Sequence, residues 1–150
     1  MSSNDMKSFS YEVLNLMPYI LKGMFKKHTD ELSRGILTLP QFLSLDLIDK
    51  TGAIKMKDIA SELNISLPAA TGIVDRLYQA GMVKRERGAK DRRVVKVVLT
   101  PKGKKVLDNT KKARRRAIED VFGKLSAKER KEYLSILRKV KNILYGKKSI

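Results

Sequence analysis

The side chains best able to do chemistry in this sequence are cations, and they cluster. The segment Lys84 to Arg93 holds six basic residues (Lys84, Arg85, Arg87, Lys90, Arg92, Arg93) against two acidic ones (Glu86, Asp91). A second dense stretch runs from Lys102 to Arg116. The chain of 150 residues carries 33 Lys and Arg against 16 Asp and Glu, a formal net charge of +17. Residues 1–50 contribute none of that excess, with six basic and six acidic side chains. A concentrated cationic surface neutralises phosphates, so the implied chemistry is grip on a polyanion. A Lys-rich, solvated surface of the thermophile kind is the alternative. The contrast between a neutral front and a basic rear favours the polyanion, with the front left to associate with protein.

What the sequence lacks narrows the field further. It has no Cys and one His, His28. Thiolate zinc sites, disulfide frameworks, cysteine nucleophiles, His-based metal cages and a Ser-His-Asp triad all need residues that are missing. No Gly-rich phosphate loop, paired carboxylates or nucleophile–base pair stands out, so no enzyme activity, metal or cofactor is expected. The start, Met-Ser-Ser-Asn-Asp, lacks the basic and apolar regions of a secretory leader. The uncharged run from Val13 to Leu21 falls short of the ~20 apolar residues a membrane span needs. A cytoplasmic protein with no membrane partner is the expectation. Its length fits a single domain, residues 1–150, against a prior of roughly 100–200 residues.

The basic stretches must be positioned by helices on either side. A first helix is expected from about Phe9 to Ser33, ended by Gly35, with Pro18 producing a kink or a restart. Thr38-Leu39-Pro40-Gln41 reads as a capping box opening a second helix, which carries Phe42, Leu45 and Ile48 inward and stops near Thr51-Gly52. Two short helices follow, about Met56 to Leu63 and Leu67 to Ala80, with Asn64 in the turn. Ser66 is the natural N-cap of the second, and Pro68 fits its first turn. Strands are expected at Met82–Arg87 and Val94–Leu99. Thr100-Pro101 opens a helix to about Phe122, and Ser126-Ala127-Lys128-Glu129 is a second capping box. The final helix carries Tyr133, Leu137, Val140 and Leu144 as one apolar stripe.

Residues Asp58 to Leu77 have the pattern of a helix-turn-helix. Ala60 is small where two helices must approach, and Ile59, Leu63 and Ile65 plug the junction. Ala70, Ile73, Val74 and Leu77 give the second helix a core face at i, i+3, i+4, i+7 spacing. Ala69, Thr71, Gly72, Asp75, Arg76 and Gln79 then lie on the opposite face, free to enter a major groove. Two ordinary packed helices would look similar. The basic hairpin that follows directly makes the pair a winged helix.

Asp91-Arg92-Arg93, followed by Leu99-Thr100-Pro101-Lys102-Gly103, fits the wing signature D-x-R, then L-T-x-x-G. Leu77, Gly81, Met82 and Val83 fit the exit pattern L-x-x-x-G-L-V, with Met82 in place of Leu. Leu37 to Phe42 also looks like the start of that family's second helix. On these residues the sequence resembles the MarR family of bacterial and archaeal transcription regulators, over nearly its whole length. The resemblance implies a mainly α (α+β) fold, a winged helix-turn-helix with flanking dimerisation helices in the order α-α-(short β)-α-α-β-β-α-α. The DNA-binding part would span about 37–100, and the dimerisation part about 6–35 plus 101–146.

The resemblance also implies roles for particular residues. Arg93 would reach into the minor groove from the wing (84–99), with Asp91 orienting neighbouring arginines; a narrow groove's negative potential favours an Arg there. The recognition helix (67–80, with Ser66 and Pro68 at its start) would present Ala69, Thr71, Gly72, Asp75 and Arg76 to the major groove. Only Arg76 and Thr71 in that set donate useful hydrogen bonds, while Ala69 could touch a thymine methyl. Lys55, Lys57, Lys84, Arg85 and Arg87 are assigned to phosphates, with Lys90 and Arg92 completing the basic wing. A homodimer on double-stranded DNA at a pseudo-palindromic operator is expected, acting as a repressor. Family members commonly release DNA on binding a small anionic or aromatic compound, for which Tyr19, Lys22, Arg114, Arg115 and Arg116 are candidates. The weakly polar recognition face keeps a second reading open, a sequence-indifferent architectural DNA-binding protein.

Overall fold

The computed structural model describes residues 3–26, 37–88 and 93–146. Its elements are α1 (Ser3–Lys26), α2 (Leu39–Thr51), β1 (Ile54–Lys55), α3 (Met56–Glu62), α4 (Leu67–Gln79), β2 (Val83–Arg87), β3 (Val95–Leu99), α5 (Pro101–Phe122) and α6 (Ala127–Tyr145). The order matches the sequence reading, and so do most of the end signals. Thr38 accepts from the Gln41 amide while the Gln41 side chain accepts from the Thr38 amide at 2.8 Å, a complete capping box. Ser126 and Glu129 repeat the arrangement at the start of α6. Gly52 and Gly81 both adopt positive φ, 76° and 71°, where the chain leaves α2 and α4.

Helix α1 corrects one expectation. It begins at Ser3, six residues before Phe9, and runs without a break through Pro18. Asp5 in its first turn complements the positive end of the helix dipole and accounts for the earlier start. Proline removes one backbone donor, and the rest of this 24-residue helix is long enough to continue past it. Its expected end near Ser33 and the Gly35 stop lie outside the described residues, as does His28.

The chain divides into two compact units, His28–Arg114 and Met1–Lys27 with Arg115–Ile150. The first holds a continuous apolar core. Leu37, Phe42, Leu45 and Ile48 come from the α2 region, Ile59 and Ala60 from α3, and Ala70, Val74 and Leu77 from α4. Ile54, Met82, Val83, Val97 and Leu107 close it from the sheet and α5. The sheet is antiparallel in the order β1-β3-β2, with Ile54 opposite Val97 and Val83 opposite Leu99. Burying each large aliphatic side chain stabilises the unit by about 1.5–3 kcal/mol.

The second unit comprises α1, the end of α5 and α6, and no residue of α6 is buried. The rings of Phe122 and Tyr133 meet with centroids 5.0 Å apart. Arg130 donates from its guanidinium to the carbonyls of Phe122 and Leu125, satisfying the end of α5. The expected stripe of Tyr133, Leu137, Val140 and Leu144 is present, but all four side chains are exposed.

Candidate nucleic-acid interface

Local geometry builds the helix-turn-helix as its sequence requires. The chain leaves α3 through Asn64 at φ 52°, a left-handed conformation that Asn tolerates better than most residues. The Ile65 amide then donates to the Ala60 carbonyl at 3.0 Å, closing the turn over the buried Ala60 and Ile59. Ser66 caps α4 by accepting from the Ala69 amide, and Pro68 occupies its first turn. Ala70, Val74 and Leu77 face the core, with Ile73 partly buried beside them.

The opposite face of α4 divides into engaged and open groups. The Thr71 hydroxyl donates to the Leu67 carbonyl at 2.9 Å, so its proton is already committed within the helix. Arg76 and Gln79 are exposed, as are Ala69 and Gly72. A Cβ added at Gly72 would meet nothing within 4 Å, so no packing inside the chain requires glycine there. Asp75 holds an ion pair with Arg85 of β2. The Arg85 guanidinium carbon also lies 5.6 Å from the centre of the Tyr78 ring.

Strand register explains that pairing. Val83, Arg85 and Arg87 share one face of β2, the face whose base buries Val83 against the core. Further along the strand the same face clears the core and brings Arg85 to α4. Lys84 and Glu86 point the other way and pair with each other at 2.7 Å. Arg85, expected on a phosphate from sequence, is held by Asp75 and Tyr78 of α4 in the free chain. The side chains of Lys55, Lys57 and Arg87 make no hydrogen bond or ion pair with another described residue, their backbones being held in β1, α3 and β2. The wing residues Lys90, Asp91 and Arg92 lie outside the described residues; Arg93, at the edge, is exposed.

The L-T-x-x-G residues lock the exit of α4. Thr100 donates its hydroxyl to the Gly81 carbonyl at 2.7 Å and its amide to the Met82 carbonyl at 3.1 Å. Lys102 reaches the Ala80 carbonyl with its ammonium at 2.7 Å, placing a cation at the negative end of the recognition helix. At Gly103 a Cβ would come within 1.9 Å of the Met82 carbonyl oxygen, so only glycine lets α5 pass this close. These roles of Thr100, Lys102 and Gly103 were not read from the sequence beyond the match to the motif.

Along the first half of α5, two lysines meet two aspartates of α2. Lys104 pairs with Asp49 at 2.9 Å, and Lys111 with Asp46 at 2.7 Å and Asp49 at 3.3 Å. The hydrogen bond from Lys104 leads in holding the Asp49 carboxyl below its usual range. For Asp46, partial burial pushes the carboxyl up, but Lys111 and Lys50 outweigh it and hold it low. Arg114 continues the seam, with its guanidinium 4.2 Å from the centre of the Phe42 ring. Burial lowers the Arg114 pKa, and the nearby Asp46 charge opposes that.

Tyr19 and Lys22 are exposed on α1, Arg114 is engaged with Phe42, and Arg115 pairs with Glu119 at 2.7 Å. Arg116 is exposed. A mostly apolar cleft of about 310 Å³ lies elsewhere in the α1–α6 unit, lined by Ile118, Phe122, Arg130, Tyr133, Leu134 and Leu137. Among the described residues, no cluster of three or more His, Asp or Glu could hold a metal ion, and no helix is long and apolar enough to cross a membrane.

Comparison with known proteins bears on the same region. Residues 37–95 match the sequence profile of the MarR family. The uncharacterized HTH-type transcriptional regulator YwhA of Bacillus subtilis (strain 168) is 30% identical over 132 residues, covering 84% of this chain and 93% of that protein. The uncharacterized HTH-type regulator YfiV of the same organism is 33% identical over 106 residues, covering 71% of this chain and 66% of that protein. The crystal structure of YusO from Bacillus subtilis superposes with a TM-score of 0.74 at 23% identity, covering 95% of this chain and 99% of that one. That likeness is one of fold.

Proposed function

The chain belongs to the MarR family of DNA-binding transcriptional regulators, and from that premise we propose that it acts as a homodimeric repressor on a pseudo-palindromic operator. The observation that carries this reading is the continuity of the exposed face of α4 with the basic hairpin behind it. Two such assemblies related by a two-fold axis would place their α4 helices in major grooves about one helical turn apart. The wing tips, led by Arg93, would flank them in the minor groove. Lys55, Lys57, Lys84 and Arg87 would fix register on phosphates. The DNA-binding part is assigned to about 37–100, and the dimerisation part to about 6–35 with 101–146.

Dimerisation is supported by the apolar side chains of α1 and α6 that stand exposed in a single chain. Release of DNA by a small anionic or aromatic effector belongs to the same proposal. Tyr19, Lys22 and Arg116 offer an aromatic ring and cations for such a ligand, with Arg114 and Arg115 beside them in sequence. A sequence-indifferent architectural role draws support from one observation: Thr71 and Asp75 are engaged, which leaves few polar groups on α4 to read bases.

Selection of bound DNA from a random pool, followed by salt titrations on the selected and scrambled duplexes, separates the two readings. Arg93→Ala is expected to cost ~1–3 kcal/mol on the selected site and less on scrambled DNA, lowering the specificity ratio. Lys57→Ala, at an exposed cation without a side-chain partner among the described residues, is expected to weaken both alike and to reduce the salt slope by ~1. Equal losses for Arg93→Ala on both duplexes would defeat the minor-groove role. A wild-type chain that bound both duplexes equally would establish the architectural reading.

A further inference from the structure

We propose that Asp75 is a specificity-determining residue that acts through Arg85, withholding one cation from the DNA backbone and fixing the wing strand to the helix that reads the groove. The inference rests on the reading of α4 as the groove-facing helix. Asp75 and Tyr78 stand three residues apart on α4 and present a carboxylate and an aromatic ring to the same guanidinium. A guanidinium is suited to both partners at once, because it is planar, stacks on rings and forks onto carboxylates. Arg85 lies on the sheet face turned to α4, so strand register directs it to Asp75.

A carboxylate on a face aimed at DNA repels phosphates unless it is neutralised. Arg85 supplies that neutralisation, and Asp75 in turn keeps Arg85 from joining the residues that bind phosphate without regard to sequence. Each phosphate a protein neutralises adds about 0.9 to the slope of log affinity against log salt. A withheld cation therefore lowers binding to every duplex by a similar factor, and the change in preference comes from the tie between strand and helix. The pair also ties β2 to α4, so the wing and the helix approach DNA in fixed relation. Both side chains are roughly 40–46% exposed, and an exposed ion pair contributes little to folding stability, so variants at these positions fold.

The test compares the full-length wild type, Asp75→Ala and the double variant Asp75→Ala/Arg85→Gln on selected and scrambled duplexes over a range of salt. With Asp75→Ala, affinity for scrambled DNA at low salt is expected to rise roughly three- to tenfold, and the salt slope to steepen by about 0.9. The ratio of selected to scrambled affinity is expected to fall. The double variant is expected to return the slope to the wild-type value. An unchanged slope in Asp75→Ala overturns the proposal, because the pair is then an ordinary surface contact. So does a double variant with a slope shallower than wild type by about 0.9, which would place Arg85 on a phosphate in the native protein. Loss of affinity for the selected site alone overturns it as well, since Asp75 would then read a base directly. A wild-type chain that bound neither duplex would defeat the underlying DNA-binding reading instead.

Discussion

In the unit His28–Arg114, Leu45, Ile48, Ile59, Val74, Leu77 and Leu107 are sealed from solvent, whereas in the other unit Leu14, Tyr19, Ile143 and Leu144 stand more than half exposed. Both units are helical and both have apolar residues at helical spacing. The difference lies in what the apolar faces meet. The first unit packs helices, sheet and the start of α5 around one core within a single chain. The second carries long helices whose apolar stripes stay largely exposed, apart from contacts such as that of Phe122 with Tyr133. One unit encloses its apolar side chains, and the other leaves many of its own exposed. The proposed dimer would bury the apolar faces of the second unit.

The largest expected effect tests the incomplete side. Leu137→Glu puts a charge in the middle of the α6 stripe. In a two-fold dimer the loss is counted twice, and at ~1.5–3 kcal/mol for each buried Leu it comes to about 3–6 kcal/mol of association. Light scattering at micromolar concentration and low salt is expected to show a dimer for the wild type and a monomer for the variant. Thermal melting is expected to retain the transition of the His28–Arg114 unit. A variant that remained dimeric would move the interface off this face.

A smaller effect tests the complete side. Gly103→Ala forces a Cβ to within 1.9 Å of the Met82 carbonyl oxygen, which neither backbone can yield without shifting. An overpacked site of this kind costs about 1–3 kcal/mol. The melting temperature of the unit is expected to fall while dimerisation persists, the reverse of the outcome for Leu137→Glu. An unchanged melting temperature would mean that α5 does not pass Met82 this closely.

The smallest effect has two signs. Gly72→Ala fills open space on α4 and replaces a poor helix former, so it is expected to stabilise the free protein by up to ~1 kcal/mol. The added methyl stands on the face proposed to approach DNA, so affinity for the selected site is expected to drop. Melting and binding measured on the same preparation check the pair of signs. A gain in stability with unchanged binding would assign Gly72 to simple tolerance.

The parts of the fold legible in sequence are those fixed by neighbours in the chain. Thr38 with Gln41, Ser66, Asn64 and Ser126 with Glu129 act over four residues or fewer, and each stands where its chemistry indicates. The core faces of α2 and α4 follow equally from helical spacing. Pro18 brings no restart, because a local penalty is judged against the whole helix and α1 absorbs one missing donor. The pairing of Asp75 with Arg85 was hidden because it joins a helix to a strand across a change of period, with no fixed spacing to mark it. Lys104 and Lys111 look like surplus charge until α2 is placed beside α5, about 55–62 residues away in sequence. Net charge therefore located the partner class, but not which cations are open to it.

The bonds at the exit of α4 bear on when that helix becomes real during folding. A 13-residue helix is marginal on its own in water. The Gly81 and Met82 amides cap its last turn locally by donating to the Tyr78 and Leu77 carbonyls, while the carbonyls of Ala80 and Gly81, just past its end, accept from Lys102 and Thr100 about twenty residues later. Between them runs the whole β2–β3 hairpin. The hairpin must therefore close before these two outer carbonyls are satisfied, and their partners hold the start of α5 in place. Contacts at such short separations form quickly, and they link helix, wing and α5 into a single cooperative step. The last bonds at the α4 exit thus form only once the hairpin has closed, which ties the wing to the helix it follows.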